Sequence, residues 1–180
     1  MLIREANVED VPIILQYIHE LAEYEKSCQY VKVTDENLRN ALFGNTPKVY
    51  CHVVVEDSMV VGIAIWFLNF STWFNTLHHL QSFTHSLFIQ NIIRLGKHGI
   101  YLEDLYITPA YRGRGFGKAL LKTLANICIN QGYERLQWWV LDWNESAIDF
   151  YHEMGAKKMS EWIVMRVDNS NDALSNLANS

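Results

Sequence analysis

The chain has 180 residues, 49% hydrophobic and 13% aromatic, with a formal net charge of −5 at pH 7. Such a composition buries a core and excludes wholesale disorder. The acidic balance excludes sequence-independent nucleic-acid binding through clustered Lys and Arg. Cys28, Cys51 and Cys128 are odd in number, far apart and form no CxxC. They read as cysteines of a reduced, cytoplasmic protein without a zinc site. The opening MLIREANVED has no apolar signal-peptide stretch. The longest apolar run, Val60 to Phe70, falls well short of the roughly 20 residues a membrane span needs.

In chain order, Leu2 to Arg4 reads as a short strand. Asn7 is an N-cap with Asp10 three residues on, in the manner of a capping box. Val8, Val11, Leu15, Ile18 and Leu21 recur at helical spacing, so a first helix runs to about Glu25. Thr34 caps a second helix through Phe43, closed by Gly44. Val49 to Val55 and Met59 to Asn69 are strands joined by a turn at Glu56–Asp57–Ser58. Tyr101 to Thr108 is a further strand, and a third helix spans Phe116 to Gln131 with Gly132 after it. Arg135 to Leu141 reads as a strand. Asn144 caps a fourth helix that ends before Gly155, and Lys158 to Val167 reads as the last strand. The polar stretch 168–180 is expected to be a flexible tail. This order predicts one mixed α/β (α+β) domain over residues 1–167, a sheet with helices packed on it.

The segment Phe74 to Arg94 stands outside that pattern. It has no acidic residue, one formal charge and three of the seven histidines. A metal site at His78, His79 and His85 is disfavoured, because no carboxylate or cysteine accompanies them.

The sharpest local signal is Arg112-Gly113-Arg114-Gly115-Phe116-Gly117-Lys118, between a strand and a helix. Glycines let a backbone approach a ligand closely, and amides at a helix start attract phosphate. The alternative is a tight turn with solvated basic residues. A P-loop is disfavoured because Ala119 stands where Ser or Thr should follow Gly117–Lys118. A Rossmann fingerprint is disfavoured because the glycine spacing is one residue short and the turn falls late in the chain. Two further elements flank this turn. Tyr101-Leu102-Glu103-Asp104-Leu105-Tyr106-Ile107 precedes it. Downstream, Asn144 and Tyr151 stand seven apart, which places both on one helix face.

With those elements together, the chain resembles the GNAT superfamily of acetyl-CoA-dependent N-acetyltransferases. Arg112, Gly115 and Gly117 match its R-x-x-G-x-G pattern. More narrowly it resembles the diamine acetyltransferase branch, which holds the spermidine/spermine and thialysine N-acetyltransferases. The matching stretches are ELAEYEK (Glu20 to Lys26), YLEDLYITPAYRGRGFGKALL (Tyr101 to Leu121) and VLDWNESAIDFYHEMGA (Val140 to Ala156). The resemblance implies an acyl-CoA N-acyltransferase fold of about seven strands and four helices. Its central mixed sheet is splayed, with helices on both faces. It implies acetyl-CoA as co-substrate, no metal, a small-molecule amine as acceptor, no nucleic-acid or membrane partner, and a homodimer.

The resemblance also assigns residues. Pantetheine would bond backbone groups of Leu105, Tyr106 and Ile107. The pyrophosphate would sit on Arg112, Gly113, Arg114, Gly115, Phe116, Gly117 and Lys118. Asn144, Glu145, Ser146 and Ala147 would contact the cofactor from the other side. The acceptor would meet Tyr24, Glu25, Glu103, Gln137, Trp138, Trp139 and Glu161, with Asp142 a second acidic contact or a structural cap. Carboxylates and aromatic faces suit a polycation.

Acetyl transfer to an amine poses two proton problems. An alkyl amine titrates near ~10.4 and arrives protonated; a base must free its lone pair, and the leaving thiolate must regain a proton. Glu103, through water, is the expected base. Regular strand alternation would turn Glu103 and Asp104 to opposite faces. Tyr151 is the expected acid, with Phe150 taking the core-facing role. The cysteines read as structural.

Two departures from the branch stand out. Phe74 to Arg94 is an insertion of 21 residues beside the acceptor pocket. Three readings of it stay open: a lid or interface helix, a disordered loop, or a gene-model artefact. Ser71–Thr72 stands where the spermidine/spermine enzyme carries an acidic residue, which favours a smaller diamine, thialysine or another lysine-like amine. The rival functions are a peptide or protein N-acetyltransferase and a catalytically silent acyl-CoA-binding module.

Overall fold

The structure is a computed structural model that describes residues 1–72 and 97–180. The expected insertion at 74–94 lies outside the described residues, as do His78, His79 and His85. The described chain divides into two compact units, Met1–Leu141 and Asp142–Ser180.

The first unit is built on a five-stranded sheet in the order β1-β2-β3-β4-β5. Its strands are β1 (Leu2–Glu5), β2 (Tyr50–Glu56), β3 (Met59–Ser71), β4 (Lys97–Ile107) and β5 (Leu136–Gln137). The first three pairings are antiparallel and β4 with β5 is parallel, so the sheet is mixed. Asp57 and Ser58, with φ of 49° and 63°, make the two-residue turn between β2 and β3. Positive φ at both central positions matches the twist of the flanking strands.

Three helices cover this sheet: α1 (Val11–Tyr24), α2 (Asp35–Phe43) and α3 (Phe116–Gln131). A short 3₁₀ turn, Val8–Asp10, leads into α1. The capping box holds there: Asn7 caps the turn, and Asp10 accepts from the Asn7 backbone N–H at 2.8 Å. Asp10 is also buried and paired to Arg4 at 2.6 Å. Thr34 caps α2, and Gly132, at φ 68°, ends α3 in the left-handed conformation.

Val11, Ile14 and Tyr17 of α1 and Leu38 and Leu42 of α2 pack with Cys51, Val53, Ile63, Ile65 and Tyr106 on one sheet face. Helix α3 packs against the strands. Its Leu120 and Leu124 are fully buried, as are Ile100 and Leu102 of β4. Burying such side chains contributes about 1.5–3 kcal/mol each before the entropy of ordering them is counted.

Two strands differ from expectation. The one read over Arg135 to Leu141 is paired only at Leu136 and Gln137. Lys158 to Val167 forms no strand at all. Strand propensity becomes a strand only where a neighbouring backbone completes the ladder, and the sheet contains none for this segment. Five strands are therefore described rather than seven.

The second unit holds α4 (Glu145–Glu153) and a short α5 (Ala173–Ala178). Asn144 caps α4 by accepting from the Ala147 N–H at 3.3 Å. No described helix is long and apolar enough to cross a membrane.

Candidate active site

The glycine turn is shaped by its backbone. Gly113 and Gly115 have φ of 73° and 81°, and a Cβ built on either would meet nothing within 4 Å. The space beside both is open, and the left-handed conformation favours glycine there. Gly115 is also the N-cap residue of α3. The first-turn amides therefore start beside open space with the positive end of the helix dipole behind them. Phe116 turns inward, 6% exposed, so it offers a ligand only its backbone.

The strand leading to this turn is unevenly paired. β4 is registered with β3 along its whole length, from Ser71↔Lys97 to Gly62↔Ile107. Its pairing with β5 covers only Ile100↔Leu136 and Tyr101↔Gln137. Beyond Tyr101, the β5-side edge of β4 has no registered partner among the described residues. Alternate backbone groups of Leu105, Tyr106 and Ile107 thus face away from β3 without a ladder. An extended amide-bearing chain such as pantetheine is the kind of ligand that completes such an edge. The residues at both places fit acetyl-CoA: a cradle without Cβ atoms for phosphate, and an unpaired strand edge for its arm.

Strict alternation fails at Glu103. Asp104 is registered with Ile65, whereas Leu102 is registered with Trp66, so Glu103 is an extra residue in a β-bulge. The bulge puts Asp104 beside Ile65 on the face that carries Cys51 and Tyr106. The bulge breaks the regular alternation from which opposite faces were expected for Glu103 and Asp104. The negative charges of Glu103 and Glu25 both reach Asp104. Burial, with those charges, pushes the Asp104 carboxyl up to about 7. Burial also raises Glu25 at the end of α1. The Cys51 thiol is pushed up to about 12, chiefly by burial, which makes it an inert core group.

Asp104 was not among the residues expected to form the site. The signal that finds it is the register slip, which no single sequence displays. Glu103 itself is exposed, as are Gln137 and Trp139. Trp138 is half-buried, and Trp139 stands edge-on to Tyr101 with ring centres 5.8 Å apart. Tyr24 is 41% exposed at the end of α1.

The basic residues of the turn are less uniform than their spacing implies. The Arg114 guanidinium lies over the Tyr111 ring at 4.8 Å. Arg112 lies over two rings, Tyr24 at 5.4 Å and Tyr106 at 5.6 Å. Its Nε–H donates to the Ile107 carbonyl at 2.9 Å. The Tyr106 hydroxyl donates to Glu20 Oε2 at 2.5 Å. Lys118 is exposed on the first turn of α3.

In the second unit, Asn144, Ser146 and Ala147 form one cap cluster, with the Ser146 hydroxyl donating to Asn144 Oδ1 at 3.4 Å. Glu145 is exposed in the first turn. Tyr151 is half-buried on α4, and so is Phe150, their rings 5.3 Å apart. Phe150 therefore does not take the core-facing role expected of it. The whole of α4 buries no residue. Glu161 and Asp142 are exposed and outside regular structure. Among the described residues, no group of three or more His, Cys, Asp or Glu could hold a metal ion.

Comparison with known proteins agrees with this geometry. The profile of the acetyltransferase (GNAT) family matches residues 16–156. A thialysine N-epsilon-acetyltransferase of Bos taurus is 36% identical over 169 residues, covering 89% of this chain and 86% of its own length. A human spermidine/spermine N(1)-acetyltransferase-like protein is 30% identical over 165 residues, covering 88% of this chain and 21% of its own length. Among solved structures, an integron cassette protein from the mobile metagenome of V. cholerae has the same fold, with a TM-score of 0.70 at 23% identity and coverage of 99% and 98% of the two chains. The chain belongs to the GNAT acetyltransferase family, in its diamine N-acetyltransferase branch.

Proposed function

We propose that the protein transfers the acetyl group of acetyl-CoA to a primary amine of a small diamine, polyamine or lysine-like amine such as thialysine. The reaction is direct attack in a ternary complex. The observation that carries this reading is the glycine cradle at the start of α3, next to the edge of β4 left unpaired by β5. The kinship with thialysine N-epsilon-acetyltransferases supports the lysine-like acceptor. So do Glu25 and Glu103, whose charges both act on Asp104; a group of carboxylates suits a cationic amine.

Acetyl-CoA supplies an activated acyl thioester. The chain holds it through the Gly113–Gly117 amides, Lys118 and the backbone of Leu105 to Ile107, with the Asn144–Ala147 cap as a further contact. Glu103, through water, takes a proton from the ammonium group and frees the nitrogen lone pair. As the C–N bond forms and the C–S bond breaks, Tyr151 would give its hydroxyl proton to the departing sulfur, and the second proton that the nitrogen sheds would leave to solvent. Solvent then restores the tyrosine. A phenol, titrating near ~10, suits a donor rather than a base. Tyr24, Gln137, Trp138, Trp139 and Glu161 frame the acceptor.

The protein acts as a cytoplasmic homodimer in this reading. The free cysteines suit a reducing compartment. Dimerisation is supported by the run Trp162, Ile163, Val164 and Met165, exposed at 68%, 84%, 56% and 87%. Runs of that kind mark association surfaces.

Coenzyme A release against putrescine, spermidine, spermine, thialysine, lysine and a lysine peptide tests the function. Turnover of one small amine is expected; turnover of the peptide alone overturns the small-amine assignment, and binding of acetyl-CoA without turnover of any overturns the enzyme. Glu103→Gln is expected to depress the rate most at low pH, where removing the ammonium proton is hardest. A pH–rate profile identical to wild type removes Glu103 as the base.

A further inference from the structure

The arginine that opens the glycine motif has partners within the protein. Three contacts fix Arg112: the Nε–H bond to the Ile107 carbonyl at 2.9 Å, and the faces of Tyr24 and Tyr106 at 5.4 and 5.6 Å. Tyr106 is in turn fixed, 4% exposed, its hydroxyl bonded to Glu20 and its ring 5.2 Å from Tyr17. A guanidinium held by a backbone carbonyl and two aromatic faces is committed in orientation, since its planar fork stacks on the rings. The chain of contacts runs from Glu20 through Tyr106 and Arg112 to Tyr24. It begins and ends on α1 and passes through the start of the glycine turn. Tyr24 is the last residue of α1, and Glu25 follows it as the C-cap.

We infer that Arg112 is a positioning residue for the amine acceptor rather than a ligand of the coenzyme A phosphates. It straps the last turn of α1, and with it Tyr24 and Glu25, to the turn that receives the cofactor. The acceptor end and the cofactor end of the site thereby share one strut. The phosphate charge falls to the amides of the turn and to Lys118. This inference rests on the amine N-acetyltransferase reading for the roles of Tyr24 and Glu25, but the strut itself is geometry within residues 20–112.

The test uses Arg112→Gln, Arg112→Lys and Tyr24→Ala in the full chain, with steady-state kinetics and calorimetric titration of coenzyme A. Arg112→Gln is expected to raise the amine KM about fivefold, the scale of an exposed cation–π pair, and to leave the coenzyme A Kd within twofold. Arg112→Lys is expected to behave like Arg112→Gln, because the ammonium keeps the charge but loses the Nε–H bond and the planar stack. In a Tyr24→Ala background, Arg112→Gln is expected to change the amine KM by less than twofold. A tenfold weaker coenzyme A Kd in Arg112→Gln, restored by Arg112→Lys with the amine KM unmoved, overturns the inference. Should the wild-type chain acetylate no amine, the enzymatic reading fails. The strut is then decided by the coenzyme A Kd and by thermal midpoints: additive midpoint losses for Arg112→Gln and Tyr24→Ala overturn it, and non-additive losses with an unchanged Kd support it.

Discussion

The two units of the molecule treat their apolar residues in opposite ways. In Met1–Leu141, alternating strand positions and helix faces are buried, and Val11, Ile14, Val53, Ile63, Ile100, Leu120 and Leu124 have 0% exposure. In Asp142–Ser180 no described residue is fully buried, although Trp162, Ile163, Val164, Met165 and Val167 stand close together in the sequence. Their sequences differ less than their burial does. The first unit contains a five-stranded sheet, and the second contains helices and no described strand. Burial here follows from neighbours, and hydrophobicity alone does not produce it.

The sharpest way to break that comparison is through chemistry placed in the poorly buried unit. If Tyr151 supplies the proton to the leaving sulfur, Tyr151→Phe lowers kcat by about 10²–10⁴-fold. Because α4 buries nothing, the melting midpoint is expected to stay within about 2 °C, consistent with a change under about 0.5 kcal/mol. Coenzyme A affinity, read by calorimetry, is expected to be unchanged. An unaltered kcat assigns the proton to another group and leaves the second unit without a chemical part.

Matched truncations measure the same contrast as stability. Leu124→Ala removes a side chain with 0% exposure from α3 and is expected to cost about 2–5 kcal/mol in urea unfolding. Ile163→Ala removes one that is 84% exposed and is expected to cost less than about 0.5 kcal/mol in the monomer at low protein concentration. If the exposed run is a dimer surface, the loss for Ile163→Ala grows with protein concentration. Equal losses for both, at every concentration, contradict the burial difference.

Much of this was legible in the residues. Asn7 with Asp10, Thr34, Gly132 and Asn144 announced helix ends because capping chemistry is local. The turn at Asp57–Ser58 and the span of α3 were legible for the same reason. The glycine turn was legible in position, between a strand and a helix, and its left-handed backbone at Gly113 and Gly115 is a conformation that favours glycine. Three things were not. The bulge at Glu103 depends on how β4 registers against β3, which is a relation between two strands. The short reach of β5 and the absent strand at Lys158–Val167 depend on whether a partner backbone is present. The direction of Arg112 depends on where Tyr24 and Tyr106 come to lie, and spacing within the motif carries no record of that.

A smaller effect than that of Leu124→Ala concerns the carboxylate that the bulge brings in. Burial, with the charges of Glu103 and Glu25, pushes the Asp104 carboxyl from its ordinary 3.8 up to about 7. The folded state therefore holds this proton more tightly than the unfolded chain does. Its contribution to stability is complete below the ordinary carboxylate range and is lost as pH rises through about 4 to 7. Asparagine cannot ionise, so Asp104→Asn escapes that loss. At about 1.4 kcal/mol per pKa unit the upper bound is roughly 4 kcal/mol, and relaxation with water entry leaves a gain on the order of 1–2 kcal/mol. Unfolding followed by urea at pH 4 is expected to find wild type and Asp104→Asn alike. At pH 8 the variant is expected to be the more stable of the two. A variant equal to wild type at both pH values means that Asp104 ionises freely, and that the bulge leaves its carboxyl in water rather than against the Cys51 face of the sheet.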